Sequence, residues 1–189
     1  MRIGLLGGSF DPPHNGHLLV AGDAYDALAL DRLVFIPAAI QPLKTQAAAT
    51  ANQRLAMVRR LVEGDARFEV SALEIERGGL SFTVDTLATL AARWPASELY
   101  WLVGADVLAA FAKWRDPQRI VTLATVVVMG RTGEVPDLSA VPGLVNVIAT
   151  RRVDISSTEV RRRVRDGRSI RGFVPDAVAD YIASERLYR

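Results

Sequence analysis

The chain has no cysteine. Disulfides, zinc–thiolate centres and thiol nucleophiles are therefore excluded. It has only two lysines, Lys44 and Lys113, and every other cationic side chain is an arginine. The planar guanidinium suits phosphate and carboxylate groups, but high-GC coding bias enriches arginine equally, so composition alone assigns it no role. A dominant charge is missing as well. The formal net charge is +2 over 189 residues, which gives no global field for a nucleic acid. Long apolar runs are also absent. The stretch within "MRIGLLGGSF" is too short for a signal peptide or a membrane span, and no other segment reaches spanning length without a charge or a proline. These absences predict a soluble, cytoplasmic protein with no membrane and no nucleic-acid partner. The length predicts one domain over residues 1–189, large enough for a real core. Histidine is scarce too. The chain holds only His14 and His17, three residues apart in "GGSFDPPHNGH" at 7–17.

Apolar β-branched runs alternate with amphipathic helical patterns. Strands are expected at 2–6, 32–37, 99–104, 125–130 and 144–149, and 68–75 reads as extended. Helices are expected at 17–28, 51–64, 82–94, 116–124, 157–167 and 176–187. A further helix is expected to start at Asp106, after Gly104 ends its strand. Alternating strands and helices predict an α/β fold: a doubly wound, mostly parallel sheet with helices on both faces. Segments 38–50 and 131–143 read as loops, and loops at the carboxyl ends of parallel strands are where such folds bind ligands.

The opening stretch is strand, glycine turn, polar loop, helix. Gly7 and Gly8 let backbone N–H groups approach a phosphate with no side chain in the way. Neither G-x-G-x-x-G nor a Walker motif fits. The spacing of His14 and His17 puts both on one side of a first helical turn, and Gly16 keeps the backbone between them open. Two imidazoles and the first N–H groups of a helix then converge on one spot, which suits an anion. The competing reading is two polar residues at a helix start. A zinc site would need one more close ligand, for which Asp11 is the nearby candidate; no metal-ligating residues are assigned. Further along, Ser156 and Glu159 in "DISSTEVRRRVRDGRSI" fit a capping box. The helix start so defined, with Ser157, Thr158 and Arg161, is a natural triphosphate cradle. Arginine-rich helices are often simply solvated, however. Asp106 reads equally as an N-terminal helix charge, Trp114 as core, and Ser81 or Thr83 as a helix cap.

"GGSFDPPHNGH" resembles G-[ST]-F-D-P-x-H-x-G-H, the signature shared by nicotinate-nucleotide and pantetheine-phosphate adenylyltransferases. These belong to the H-x-G-H nucleotidyltransferases related to class I aminoacyl-tRNA synthetases. "ISSTEVR" at 155–161 resembles the second signature of that superfamily, in the right order along the chain. "GADVLAAFAKW" at 104–114 and "GGLSFTVDTL" at 78–87 resemble segments typical of the nicotinate enzymes and lacking from the shorter pantetheine ones. "IQPLK" resembles the P-x-K loop, with Leu43 where a histidine is usual, and "VVMGRTG" resembles R-P-G, with Thr132 for proline.

The resemblance implies a Rossmann-like fold and transfer of the adenylyl group of ATP to nicotinate mononucleotide, giving nicotinate adenine dinucleotide and pyrophosphate, with Mg²⁺ accompanying ATP. It implies catalytic roles for His14, His17 and Arg161. The nucleotide would be positioned by Gly7, Gly8, Ser9, Phe10, Gly16, Gly104, Asp106, Ser157 and Thr158. Lys44 and Arg131 would meet the mononucleotide phosphate, Thr83 the nicotinate carboxylate, and Trp114 the pyridine ring. Nicotinamide mononucleotide or pantetheine phosphate as acceptor, and a non-catalytic nucleotide sensor, stand as alternatives. Assembly as a homo-oligomer is left open by the sequence.

Overall fold

A computed structural model describes residues 1–43, 47–131, 137–139, 141–143 and 145–189, with the side chains of Asp106, Ala109 and Arg131 outside that description. Six strands form one sheet: β1 (Arg2–Gly8), β2 (Arg32–Pro37), β3 (Phe68–Val70), β4 (Glu98–Gly104), β5 (Thr125–Arg131) and β6 (Val145–Thr150). Their order is β3-β2-β1-β4-β5-β6, and every pair is parallel. The chain therefore winds outward one way from β1, crosses back, and winds the other way from β4. The switch lies between β1 and β4, and the loops that follow these two strands flank the crevice where such sheets bind ligands.

Both faces are covered, which is why the strands are near-continuous apolar runs. Leu6, Leu33, Phe35, Leu102 and Val127 face one core, shared with α1 (Asn15–Ala27), α2 (Ala51–Val62), α6 (Ser157–Arg165) and α7 (Asp176–Ser184). Ile3, Leu5, Val34, Trp101 and Val126 face the other, shared with α4 (Thr83–Arg93), α5 (Pro117–Leu123) and a 3-10 helix over Ala105–Lys113. The alternation of strand side chains between the two cores follows from the pleat. The doubly wound expectation holds, and the sheet is parallel throughout among the described residues.

Two local expectations change. The extended reading of 68–75 holds only for Phe68–Val70, and Leu73–Arg77 forms a short helix, α3. A tertiary contact decides this. Glu74 is buried and its carboxylate accepts the Thr86 hydroxyl at 2.6 Å, while the Ser71 side chain accepts the Leu73 N–H at 3.3 Å. The segment after Gly104 is a 3-10 helix that begins at Ala105. Other ends lie within three residues of the expected ones, the usual fraying of helix and strand termini.

Candidate active site

The glycine turn after β1 is shaped by its neighbours. A Cβ on Gly7 would lie 2.7 Å from the Trp101 ring, and one on Gly8 would lie 3.0 Å from the Phe10 ring. Both positions are closed to larger residues by close aromatic approach. Phe10 itself has φ of 51°, in the left-handed region that a bulky residue rarely adopts. It is held there by packing, with its ring 5.8 Å from Phe35 and edge-on to His17 at 5.0 Å.

His14 is the N-cap of α1, and His17 lies one turn in. Their rings stack at 3.8 Å between centroids with 32° between planes. The His14 backbone N–H donates to His17 Nδ1 at 3.1 Å. That bond makes Nδ1 an acceptor and places the proton of the neutral His17 ring on Nε2. His14 is 8% exposed, and its side chain faces the His17 backbone N–H in a reciprocal capping box with His17. Burial depresses its pKa to about 4, so the ring is neutral at physiological pH. The role of Gly16 is steric. A Cβ there would stand 2.9 Å from His14 Nδ1 and 3.2 Å from Val153, so only glycine lets the His14 ring lie across the start of the helix.

The second helix start docks directly on this loop. The Ser156 side chain caps α6 by accepting the Glu159 N–H at 3.2 Å. The Ser157 hydroxyl donates to the Pro12 carbonyl at 2.8 Å. Arg161 donates to the Asp11 carbonyl at 2.6 Å and to the Thr158 hydroxyl at 3.2 Å. Ser157, Thr158 and Arg161 are therefore brought against the loop that carries His14 and His17. The segment between α6 and α7 also meets this loop, where the Phe173 carbonyl accepts the Asn15 N–H and the Gly172 carbonyl accepts the Asn15 side chain, both at 2.8 Å.

The remaining predicted residues form a second group on the neighbouring loops. Ser9 reaches toward it by donating to Gln41 at 2.8 Å. The Ser81 N–H donates to the Ile40 carbonyl at 2.8 Å, and the Ser81 hydroxyl accepts the Ala39 N–H at 2.9 Å. This corrects the capping expectation: Ser81 is engaged with the 38–50 loop, Phe82 is the N-cap of α4, and no side chain caps that helix. Thr83 is the first residue of α4, so its N–H and its neighbours' are not claimed by a side-chain cap. Trp114 is half-buried and stacks on Phe111 at 4.9 Å with 30° between planes. Arg115 beside it lies 4.9 Å over the Phe82 ring, linking the Trp114 and Thr83 segments. Gly104 ends β4, adjacent to β1. Lys44 lies outside the described residues, as do the side chains of Asp106 and Arg131.

Sequence reasoning passed over Arg54 and Tyr188 and considered Asp11 only as a metal ligand. Arg54 lies on the apolar face of α2 beside Leu55, Val58 and Leu61, yet is 2% exposed. A cation at a core-facing helical position was the signal available.

The chain matches the cytidylyltransferase-like family over residues 5–163. It is 56% identical to a protein of Gemmatimonas aurantiaca named a probable nicotinate-nucleotide adenylyltransferase, covering 100% of this chain and 93% of that one. A Thermus thermophilus protein of the same name is 45% identical over the full length of both. The chain belongs to the nicotinate-nucleotide adenylyltransferase family. The fold of the family extends further than its sequences. Plasmodium falciparum nicotinic acid mononucleotide adenylyltransferase, solved in complex with NaAD, superposes with a TM-score of 0.82 at 20% identity, covering 99% of this chain and 97% of that one. Family membership makes the chain a nucleotidyltransferase. Among its described residues no helix is long and apolar enough to cross a membrane.

Proposed function

We propose that residues 1–189 form a single nucleotidyltransferase domain that acts in the cytoplasm and transfers the adenylyl group of ATP to nicotinate mononucleotide, releasing pyrophosphate. The observation that carries this reading is the docking of α6 on the histidine loop, with Arg161 on the Asp11 carbonyl and Ser157 on the Pro12 carbonyl. An anion seated there would meet two helix N-termini.

In the reaction a phosphate oxygen of the mononucleotide attacks the α-phosphorus of ATP. A new P–O–P bond forms as the bond to the pyrophosphate oxygen breaks, in line. The second pKa of a phosphate monoester is about 6, so the nucleophile is already largely dianionic and needs no general base. The protein's work is alignment and charge stabilisation. His14 and His17 donate to oxygens of the α- and β-phosphates, His14 nearest the reacting centre. Neutral rings suffice, because each carries one N–H and the depressed His14 pKa leaves that form in place. Arg161 and the Ser157–Thr158 helix start hold the departing pyrophosphate. The turn from Gly7 to Phe10, with Gly16, Gly104 and Asp106, positions ATP.

Thr83 and the uncapped start of α4 take the nicotinate carboxylate, Trp114 stacks on the pyridine, and Lys44 and Arg131 meet the mononucleotide phosphate. Among the described residues no group of three His, Asp or Glu side chains stands ready to hold a metal. Mg²⁺ would accompany ATP as part of the substrate complex.

The test is pyrophosphate release from ATP and Mg²⁺ with each of nicotinate mononucleotide, nicotinamide mononucleotide and pantetheine phosphate. Release fastest with the nicotinate compound is expected. Faster release with either rival would reassign the acceptor, and no release with any would leave a nucleotide-binding protein without this chemistry.

A further inference from the structure

Behind the histidine loop lies a buried polar cluster to which the proposed reaction assigns no part. Three segments meet there: the loop after β1, the loop after β2, and the last residues of the chain. Arg54 donates to the Ser9 carbonyl at 2.7 Å, the Ala39 carbonyl at 2.8 Å and the Ala49 carbonyl at 3.4 Å. The Asp11 carboxylate accepts the Ala48 N–H at 2.7 Å, the Ala49 N–H at 3.1 Å and the Tyr188 hydroxyl at 2.8 Å. The Asp11 carbonyl is the acceptor for Arg161. Arg54 and Asp11 are buried, and Asp11 is the nearby counter-charge that offsets the desolvation of the guanidinium. Burial and the neighbouring carboxylate hold the Tyr188 phenol protonated, so it remains a donor.

A buried charge pair is an expensive way to stabilise a fold, because apolar residues of similar volume usually do as well. What a guanidinium supplies instead is a rigid fork that fixes the separation of the carbonyls it binds. Here those carbonyls belong to Ser9 and Ala39, on the loops after β1 and β2. The first carries the histidines. The second leads, through Ile40 and Ser81, to the start of α4. We propose that Arg54 and the Asp11–Tyr188 pair are positioning residues that set the spacing and orientation of the two nucleotide subsites. The inference rests on the adenylyl-transfer reading above. None of the three side chains is assigned a substrate contact; they act through the backbone of the residues that are.

ATP bound alone draws on the loop after β1 and the mononucleotide on the loop after β2, each with further groups elsewhere, while in-line attack needs both loops at one fixed geometry. Small misplacements of reacting groups cost about a hundredfold in rate. The experiment compares Tyr188→Phe and Arg54→Lys with the unaltered protein. It measures the Kd of a non-hydrolysable ATP analogue and of nicotinate mononucleotide, each alone, and kcat for pyrophosphate release with both. Tyr188→Phe removes one hydroxyl, and Arg54→Lys keeps the charge but loses the fork. Expected are folded proteins whose two Kd values change less than threefold and whose kcat falls tenfold or more. An unchanged kcat in both variants would overturn the proposal. So would Kd values that worsen as much as turnover, or loss of the fold in Tyr188→Phe, because either makes the cluster a stability element only. If the unaltered protein itself releases no pyrophosphate, it is the adenylyl-transfer reading that fails.

Discussion

His14 combines two properties that pull on different observables. Its ring is buried and neutral, and it stands as the N-cap of α1. Replacing it with alanine should leave the fold intact and lower kcat by about a hundredfold or more, the usual cost of one lost transition-state donor; turnover near normal would remove His14 from the chemistry. Its pKa, about 4 when folded against 6.5 when unfolded, also ties stability to pH. The folded state binds fewer protons than the unfolded one between these values. The contribution is therefore fully present above pH 6.5 and is lost as pH falls toward 4, worth about 3 kcal/mol in all. Urea titrations across this window should show a shallower loss for His14→Asn than for the unaltered protein. Gly16 tests the same ring from the other side. Gly16→Ala places a methyl 2.9 Å from His14 Nδ1, so kcat should drop at least tenfold while stability changes by no more than about 2 kcal/mol.

At the scale of elements, the proposed site rests on helix starts that are built differently. The start of α6 is closed by the Ser156 cap, which fixes where Ser157, Thr158 and Arg161 begin. Ser156→Ala should cost about 1 kcal/mol of stability and raise the KM for ATP, measurable by denaturant unfolding and by kinetics on the same sample. The start of α4 has no side-chain cap, since Ser81 is engaged with the Ala39 N–H. Uncapped N–H groups are what a carboxylate would complete. Trp114 lies at the end of the 3-10 helix, half-buried on Phe111. Trp114→Ala should raise the KM for the mononucleotide several-fold with kcat for bound substrate less affected. Lost stability with an unchanged KM would return Trp114 to the core.

For the molecule as a whole, the all-parallel sheet with its switch between β1 and β4 brings loops from both halves to one edge. The helix that docks on the histidine loop comes from near the far end of the sequence, and so does Tyr188. A ligand that binds across these segments stabilises the whole fold by mass action. An ATP analogue at a hundred times its Kd should add about 2.7 kcal/mol. For a chain of this size that is a rise in melting temperature of roughly 5–10 °C, readable by thermal shift. The His14→Ala and Arg161→Ala proteins should show a smaller rise at the same concentration.

The sequence by itself determined the strand–helix order, the parallel sheet, the pairing of His14 with His17 around Gly16, and the cap at Ser156. Each is a local pattern: alternating periodicity, a turn, a short motif whose residues touch within one helical turn. Its misreadings have a common cause. Leu73–Arg77 is helical because a buried Glu74 meets Thr86, and Ser81 is diverted from capping by Ala39, contacts between residues far apart in the chain. The partners of Arg54, Asp11 and Tyr188 were illegible for the same reason, because a buried polar side chain takes its meaning from carbonyls and hydroxyls that only the folded chain brings within hydrogen-bond distance. Periodicity records which face of an element is buried; which polar group waits on the other side of that face is settled by tertiary packing.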